Sequence, residues 1–203
     1  MSRPVNALAA ALLLALPLAG CSSDSSTSDA SAAAAASPTP TPTPAPVVWA
    51  GEVCVERDNL EASVGALGRN LSYDVTADAS ALDQIDRQLR IQVLAVADAA
   101  DGLSTALQGV PVDFVAANDF VVSATKAKED TSEAIAAVGA RLEAAGSADN
   151  VLAAAAEIAQ ALVAGKAAFE AGSMLVSVVS DAASGANTEL RAAFDAAPAC
   201  QAS

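Results

Sequence analysis

Apolar residues recur every three or four positions through most of this sequence, from Val47 almost to its last residue. This spacing places them on one face of an α-helix, whereas a half-buried strand alternates apolar and polar residues. Hydrophobic residues make up 53% of the chain but aromatic residues only 3%, so alanine, leucine and valine supply most of the apolar content. Such a composition favours close-packed helices over a sheet. We therefore expect one all-α domain over residues 47–203.

The first half of this domain contains two predicted helices. One runs from about Gly51 to Asn70, and the next opens at a capping box, Ser80-Ala81-Leu82-Asp83, and ends near Pro111. Their predicted inward faces consist of Val53, Leu60, Val64, Leu67 and Leu71 in the first helix, and of Leu82, Ile85, Leu89, Val96, Ala99, Leu103, Ala106 and Val110 in the second.

Two further helices are predicted in the second half. The third begins near Asn118 or Asp119 and stops at Gly146, and either Ser147 or Asp149 can cap the fourth. The predicted inward faces consist of Val121, Ala124, Ile135, Val138 and Leu142, and of Val151, Ala155, Ile158, Leu162, Phe169, Val176, Val179, Ala183, Leu190 and Ala197. The sequence thus predicts an antiparallel bundle of four helices.

The last predicted helix is long enough to need a bend. Unbroken from Asp149 to Ala197 it would extend about 73 Å at about 1.5 Å per residue, farther than its partners could cover. We expect a kink near Ser184-Gly185. Gly165 and Gly172 fall on its inward stripe, where they would let helix backbones approach closely. A transmembrane pairing motif is the alternative, but charged residues interrupt the segment, namely Glu157, Lys166 and Glu170.

The N-terminal residues resemble an export signal. Arg3 precedes an apolar run from Ala7 to Leu16, which is too short for an ordinary transmembrane helix. The run closes with Leu18-Ala19-Gly20-Cys21, which resembles the lipobox of bacterial lipoproteins. This resemblance implies that the signal peptide, residues 1–20, is cleaved and that Cys21 is acylated. The acyl chains would anchor the protein in the membrane. A plain secretory signal with an incidental cysteine is the alternative.

A spacer is predicted over residues 21–46, between the lipidated cysteine and the helical domain. A Ser/Asp/Ala-rich stretch, which we expect to be disordered, leads into alternating threonine and proline from Ser37 to Pro46. Alternating prolines fix φ near the polyproline II value, so this half should be stiff. At about 3.1 Å per residue the spacer could hold the domain as far as about 75 Å from the membrane. A proline-rich recognition ligand is the other interpretation.

The two remaining cysteines, Cys54 and Cys200, lie near the two ends of the domain. In an exported protein with Cys21 acylated, they are the one possible disulfide pair. Such a bridge requires Cα atoms within about 7 Å, and an even number of antiparallel helices brings the two chain ends together. Two free thiols or a redox pair are the alternatives.

The residue types present exclude many kinds of chemistry. The sequence contains no histidine, which removes the commonest general base and imidazole metal ligands. Glu129, Asp130 and Glu133 form the densest acidic cluster and could bind a divalent cation weakly, although a solvated helix face is the simpler interpretation. The net charge of −14 makes nucleic acid an unfavourable partner. We expect no catalytic residues, no metal and no cofactor.

Three functions are compatible with these observations. The favoured one is a membrane-anchored, extracytoplasmic module that binds an envelope protein or a cell-wall partner without catalysis. The alternative is a binding protein that holds an apolar small molecule between helices, lined by phenylalanines that otherwise form core, namely Phe114, Phe120, Phe169 and Phe194. An enzyme with carboxylate chemistry is the third. The layout is similar to small alanine-rich actinobacterial lipoproteins, but no functional residues carry over from that resemblance.

Overall fold

A computed structural model of the protein describes residues 44–72, 75, 78–185 and 187–201. The predicted signal, Cys21 and the spacer up to residue 43 lie outside the described residues. The described chain forms five α-helices and two short 3₁₀ turns, Val115–Ala117 and Pro198–Gln201. The helices are α1 (Ala45–Arg69), α2 (Ala79–Gln108), α3 (Asn118–Gly146), α4 (Val151–Ser184) and α5 (Thr188–Ala196). No strand occurs in these ranges, so the predicted all-α class is confirmed.

The four long helices form the predicted antiparallel bundle. Trp49, near the start of α1, hydrogen-bonds to Ala106, near the end of α2, which shows that these helices run in opposite directions. Arg141 of α3 and Glu157 of α4 pair across the turn that joins those helices. α2 also packs against both α3 and α4. Since α2 and α4 are each neighbours of α1 and of α3, their own contact runs across one diagonal of the bundle.

Two helix starts differ from the sequence prediction. α1 begins at Ala45, before the predicted start at Gly51, so the last residues of the predicted spacer form its first turn. Pro46 is tolerated there because the first turn of a helix has no backbone partner for its N–H groups. α2 is capped by Asp78, and Ser80 lies inside the helix instead of capping it. The extended backbone of Asp78 lets its carboxylate accept the Ala81 N–H at 2.9 Å.

The bounds of α3 are those predicted, because it begins at Asn118 and ends at Gly146. The predicted cap of α4 was wrong. Asn150, in extended conformation, accepts the Ala153 N–H at 2.9 Å, while the Ser147 hydroxyl donates to the carbonyl oxygen of Glu143. Several neighbouring polar residues could serve as caps, and the path of the turn selected the one next to the free N–H groups.

The predicted kink near Gly185 is a complete break. α4 ends at Ser184, Gly185 is extended, and α5 starts anew with Asn187 as its cap. The Asn187 side chain accepts from Glu189 and Leu190 N–H groups and donates to the carbonyl oxygen of Ala116 at 3.0 Å. The break therefore turns α5 back across the end of the bundle, where Leu190, Ala193 and Phe194 are buried.

The core follows the predicted faces, with one systematic difference in α4. Its buried line consists largely of small residues, whereas the predicted inward residues Leu162, Phe169 and Val176 are half-buried and Val151 is exposed. The buried residues of α4 are Ala155, Ile158, Ala161, Gly165, Ala168, Gly172, Leu175 and Val179. Small residues allow the neighbouring helices to approach closely, as we predicted from Gly165 and Gly172.

Within the described ranges, α4 alone has the length and apolar composition to cross a membrane. In the structure 28% of its most apolar stretch is buried inside the bundle, where it packs against α1, α2, α3 and α5. Length and composition thus mark α4 as apolar, and its contacts are those of a helix in a bundle.

Candidate functional site

A disulfide closes one end of the bundle. Cys54 of α1 and Cys200 of the last 3₁₀ turn have their sulfur atoms 2.02 Å apart and their Cα atoms 5.2 Å apart. The sequence prediction of this pair is confirmed. The bridge spans a sequence separation of 146 residues and fixes the C-terminal turn against α1, with Cys54 fully buried.

An aromatic cluster forms around Trp49, five residues before Cys54 on α1. The Trp49 ring has its centroid 5.7 Å from that of Phe114, 6.1 Å from Phe120 and 6.0 Å from Phe194. All four rings are buried, and the Trp49 indole N–H donates to the carbonyl oxygen of Ala106 at 3.0 Å. Phe169 lies elsewhere, half-buried over Gly68 of α1. The rings fill the space between helices by contacting one another.

An open groove lies between α1, the end of α2 and the C-terminal 3₁₀ turn. We call it the α1–α2 groove. Its volume is about 610 Å³, and it is lined by Val48, Gly51, Glu52, Val55, Glu56, Gly102, Thr105, Ala106 and Ala199. Ala199 adjoins Cys200, so the disulfide holds one wall of the groove in place.

The α1–α2 groove combines apolar walls with two carboxylates. Val48 and Val55 remain 50% and 48% exposed, which is high for valine side chains on a helix that is otherwise well packed. Glu56 crosses the floor, where a Cβ atom at Gly102 would lie 2.6 Å from its Oε2. Glu56 also accepts a hydrogen bond from the Asn59 side chain at 3.2 Å, and Glu52 is exposed. No lysine or arginine lines the groove.

The acidic cluster on α3 is a solvated helix face. Glu129, Asp130 and Glu133 are all exposed, and Asp130 pairs with Lys126 at 3.1 Å. In the part of the chain that the structure describes, no three acidic, cysteine or histidine side chains are grouped so that they could hold a metal ion.

Ion pairs tie neighbouring helices together at the surface. Lys128 of α3 contacts Asp101 of α2 at 2.9 Å, and Arg141 contacts Glu157 at 3.3 Å. Within α2, Asp86 accepts from Arg90 at 2.9 Å, which raises the pKa of the Arg90 guanidinium above its usual value. These contacts involve three of the nine lysine and arginine residues that the structure describes.

The sequence analysis did not assign Trp49, Gly51 or Gly102 to a site. Trp49 precedes the predicted start of the first helix, and Gly51 marked that start. The one available signal was that Val48, Glu52 and Val55 recur at helical spacing just after the spacer, which would have indicated that α1 begins earlier.

Comparisons with known proteins provide no relative from which a function could be transferred: no family model matches the sequence, and neither the curated proteins nor the solved structures yield a significant match. The fold and site thus define the protein as a disulfide-closed helical bundle with an acidic, partly apolar groove.

Proposed function

We propose that this protein is a lipoprotein of the bacterial cell envelope, anchored to the extracytoplasmic face of the cell membrane through Cys21. The helical domain then acts as a non-enzymatic module that binds another envelope component. The observation that carries the proposal is the Leu18-Ala19-Gly20-Cys21 sequence directly after a short apolar run. Each methylene of a lipid chain on the processed cysteine contributes about 0.8 kcal/mol to the free energy of partitioning into the bilayer. Two or more such chains therefore give a stable anchor.

The domain that follows suits this location. Disulfides persist in oxidising compartments outside the cytoplasm, and Cys54 and Cys200 are bonded. With a net charge of −14 the chain is repelled by an anionic membrane surface, so a domain held away on a spacer fits better than one lying on the bilayer.

The packing supports binding at the surface over binding between the helices. Phe114 and Phe120, which we considered as the lining of an internal ligand site, contact Trp49 in the aromatic cluster. The larger concavities on the described surface are open to solvent. An envelope protein or cell-wall component could reach these concavities directly.

Substitution of the anchoring thiol tests the proposal. The protein is expressed in an exporting bacterial host, with Ser23→Ala as a neighbouring control that keeps Cys21. We expect the unmodified protein and Ser23→Ala to fractionate with membranes and to show an intact mass that begins at Cys21 and includes acyl groups. Cys21→Ser should be released. Membrane retention of Cys21→Ser, or an unmodified chain that begins at Met1, would overturn the anchor.

A further inference from the structure

We propose that the α1–α2 groove binds a basic, amphipathic helical segment of a partner protein. The inference rests on the proposed role as an interaction module, and it names the surface and the chemistry of the partner. The apolar walls of the α1–α2 groove accept apolar side chains. Glu52 and Glu56 also line the groove, so their carboxylates lie next to whatever occupies it.

The dimensions suit a short helical segment. Val48 and Val55 are seven residues apart on α1, so the apolar wall is about 10 Å long, or about two helical turns. Glu52 and Glu56 are four residues apart and lie on the same side of α1. A partner helix can present lysine or arginine at the same four-residue spacing beside its apolar stripe.

Gly51 leaves room in the groove wall, whereas the Glu56 side chain already fills the space beside Gly102. Gly51 and Gly102 form part of the lining, and a Cβ atom at Gly51 would meet nothing closer than the Ala197 Cβ at 3.9 Å. A Cβ atom at position 51 would therefore make an ordinary van der Waals contact and displace no neighbouring atom.

Charge argues against two occupants of the groove, namely the segment before α1 and a second copy of the chain. Residues 21–43 contain Asp24 and Asp29 and no lysine or arginine, so the segment before α1 would bring further negative charge to Glu52 and Glu56. A second copy of the chain carries the same net charge of −14. Most of its described cations already lie in ion pairs, namely Arg57, Arg90, Lys126, Lys128 and Arg141. A basic partner is the complementary one.

The test uses three matched amphipathic peptides. The first has a leucine stripe flanked by lysines, the second replaces the lysines with glutamates, and the third replaces the leucines with glutamines. Binding is measured by fluorescence anisotropy to the whole chain carrying Cys21→Ser, so that no detergent is needed. Because the anchor is absent from this assay, failure of the lipoprotein proposal cannot produce failure here. We expect only the leucine/lysine peptide to bind.

Two kinds of variant locate the binding. Glu52→Gln with Glu56→Gln should weaken it about five- to tenfold, whereas Glu129→Gln with Glu133→Gln, which removes the same charge from α3, should change it less than about twofold. Gly51→Leu should fill the groove and weaken binding about tenfold or more. Gly139→Leu, at a position where an added Cβ atom meets nothing within 4 Å, should not.

Amide NMR shifts give a direct readout of the binding surface. Perturbations should concentrate at Gly51, Gly102 and Thr105 when the leucine/lysine peptide is added. The proposal is overturned if this peptide does not bind, if the glutamate or glutamine peptide binds equally well, or if Gly51→Leu binds as tightly as Gly139→Leu. Trp49 fluorescence verifies that each variant is folded.

Discussion

Val64 of α1 packs directly onto Gly172 of α4: a Cβ atom at position 172 would lie 2.6 Å from Val64 Cγ2. The same relationship recurs along this interface. Gly165 lies under Leu71, and Gly68 of α1 lies under Phe169 of α4. Large residues of α1 and of the turn after it thus meet glycines of α4, and Phe169 of α4 meets a glycine of α1, which brings the two helix backbones close together. The interface depends on those glycines having no side chain.

We expect Gly172→Ala to destabilise the protein. Overpacking against the buried, β-branched Val64 should cost about 1–3 kcal/mol, only partly offset by about 1 kcal/mol of better helix propensity. Gly139→Ala is the matched control, because it lies within α3 and nothing approaches its Cβ position within 4 Å. That variant should gain up to about 1 kcal/mol. Urea unfolding measures both, and equal effects in the two variants would contradict this account.

Loss of the Cys54–Cys200 disulfide should lower the free energy of unfolding by as much as about 5 kcal/mol, because the bridge closes a loop of nearly the whole domain. Thermal unfolding of Cys54→Ser with Cys200→Ser, compared with the intact bridge, measures the loss. Intact-mass analysis after alkylation provides the check on the bond itself. Two alkylated thiols in the native, unreduced domain would show that the bridge is absent.

Truncation of Trp49 should be among the most destabilising single changes. Trp49→Ala removes the ring that contacts Phe114, Phe120 and Phe194, at an expected cost of about 3–5 kcal/mol. Phe169→Ala is the comparison, since Phe169 is half-buried outside this cluster and should cost less. Chemical denaturation followed by circular dichroism compares them. A smaller loss for Trp49→Ala than for Phe169→Ala would refute the central role of the cluster.

Acid should weaken the start of α2. The Ser80 hydroxyl and the Ala81 N–H donate to the Asp78 carboxylate, which lowers its pKa below the ordinary value of 3.8. A carboxyl whose pKa is lower in the folded state stabilises that state above its unfolded pKa and loses this contribution as the pH falls through its folded pKa. Stability of the unmodified protein should therefore decline below about pH 4 through this group.

Asp78→Asn is the control for this pH dependence, because asparagine caps a helix comparably and does not titrate. The difference in unfolding free energy between the two proteins should be largest near neutral pH and shrink in acid. A difference that does not vary between pH 7 and pH 2 would contradict the assignment of Asp78 as a charged cap.

Local pattern determined much of this protein. The spacing of Leu82, Ile85 and Leu89 was sufficient to predict α2 and its buried face, because helical periodicity depends only on neighbours in the sequence. The Cys54–Cys200 pair was also predictable, because with Cys21 assigned to acylation no other pair of cysteines remains. The lipobox prediction concerns residues outside the described structure, and it stays a prediction.

Tertiary structure decided the rest. Asp78 and Asn150 became the caps because the turns presented their side chains to free N–H groups, although nearby polar residues were chemically suitable. The aromatic cluster and the α1–α2 groove each combine residues that are far apart in the sequence, such as Trp49 with Phe194 and Gly51 with Gly102. Periodicity predicts which face of a helix is buried, but a site built from several helices depends on how those faces pack together in space.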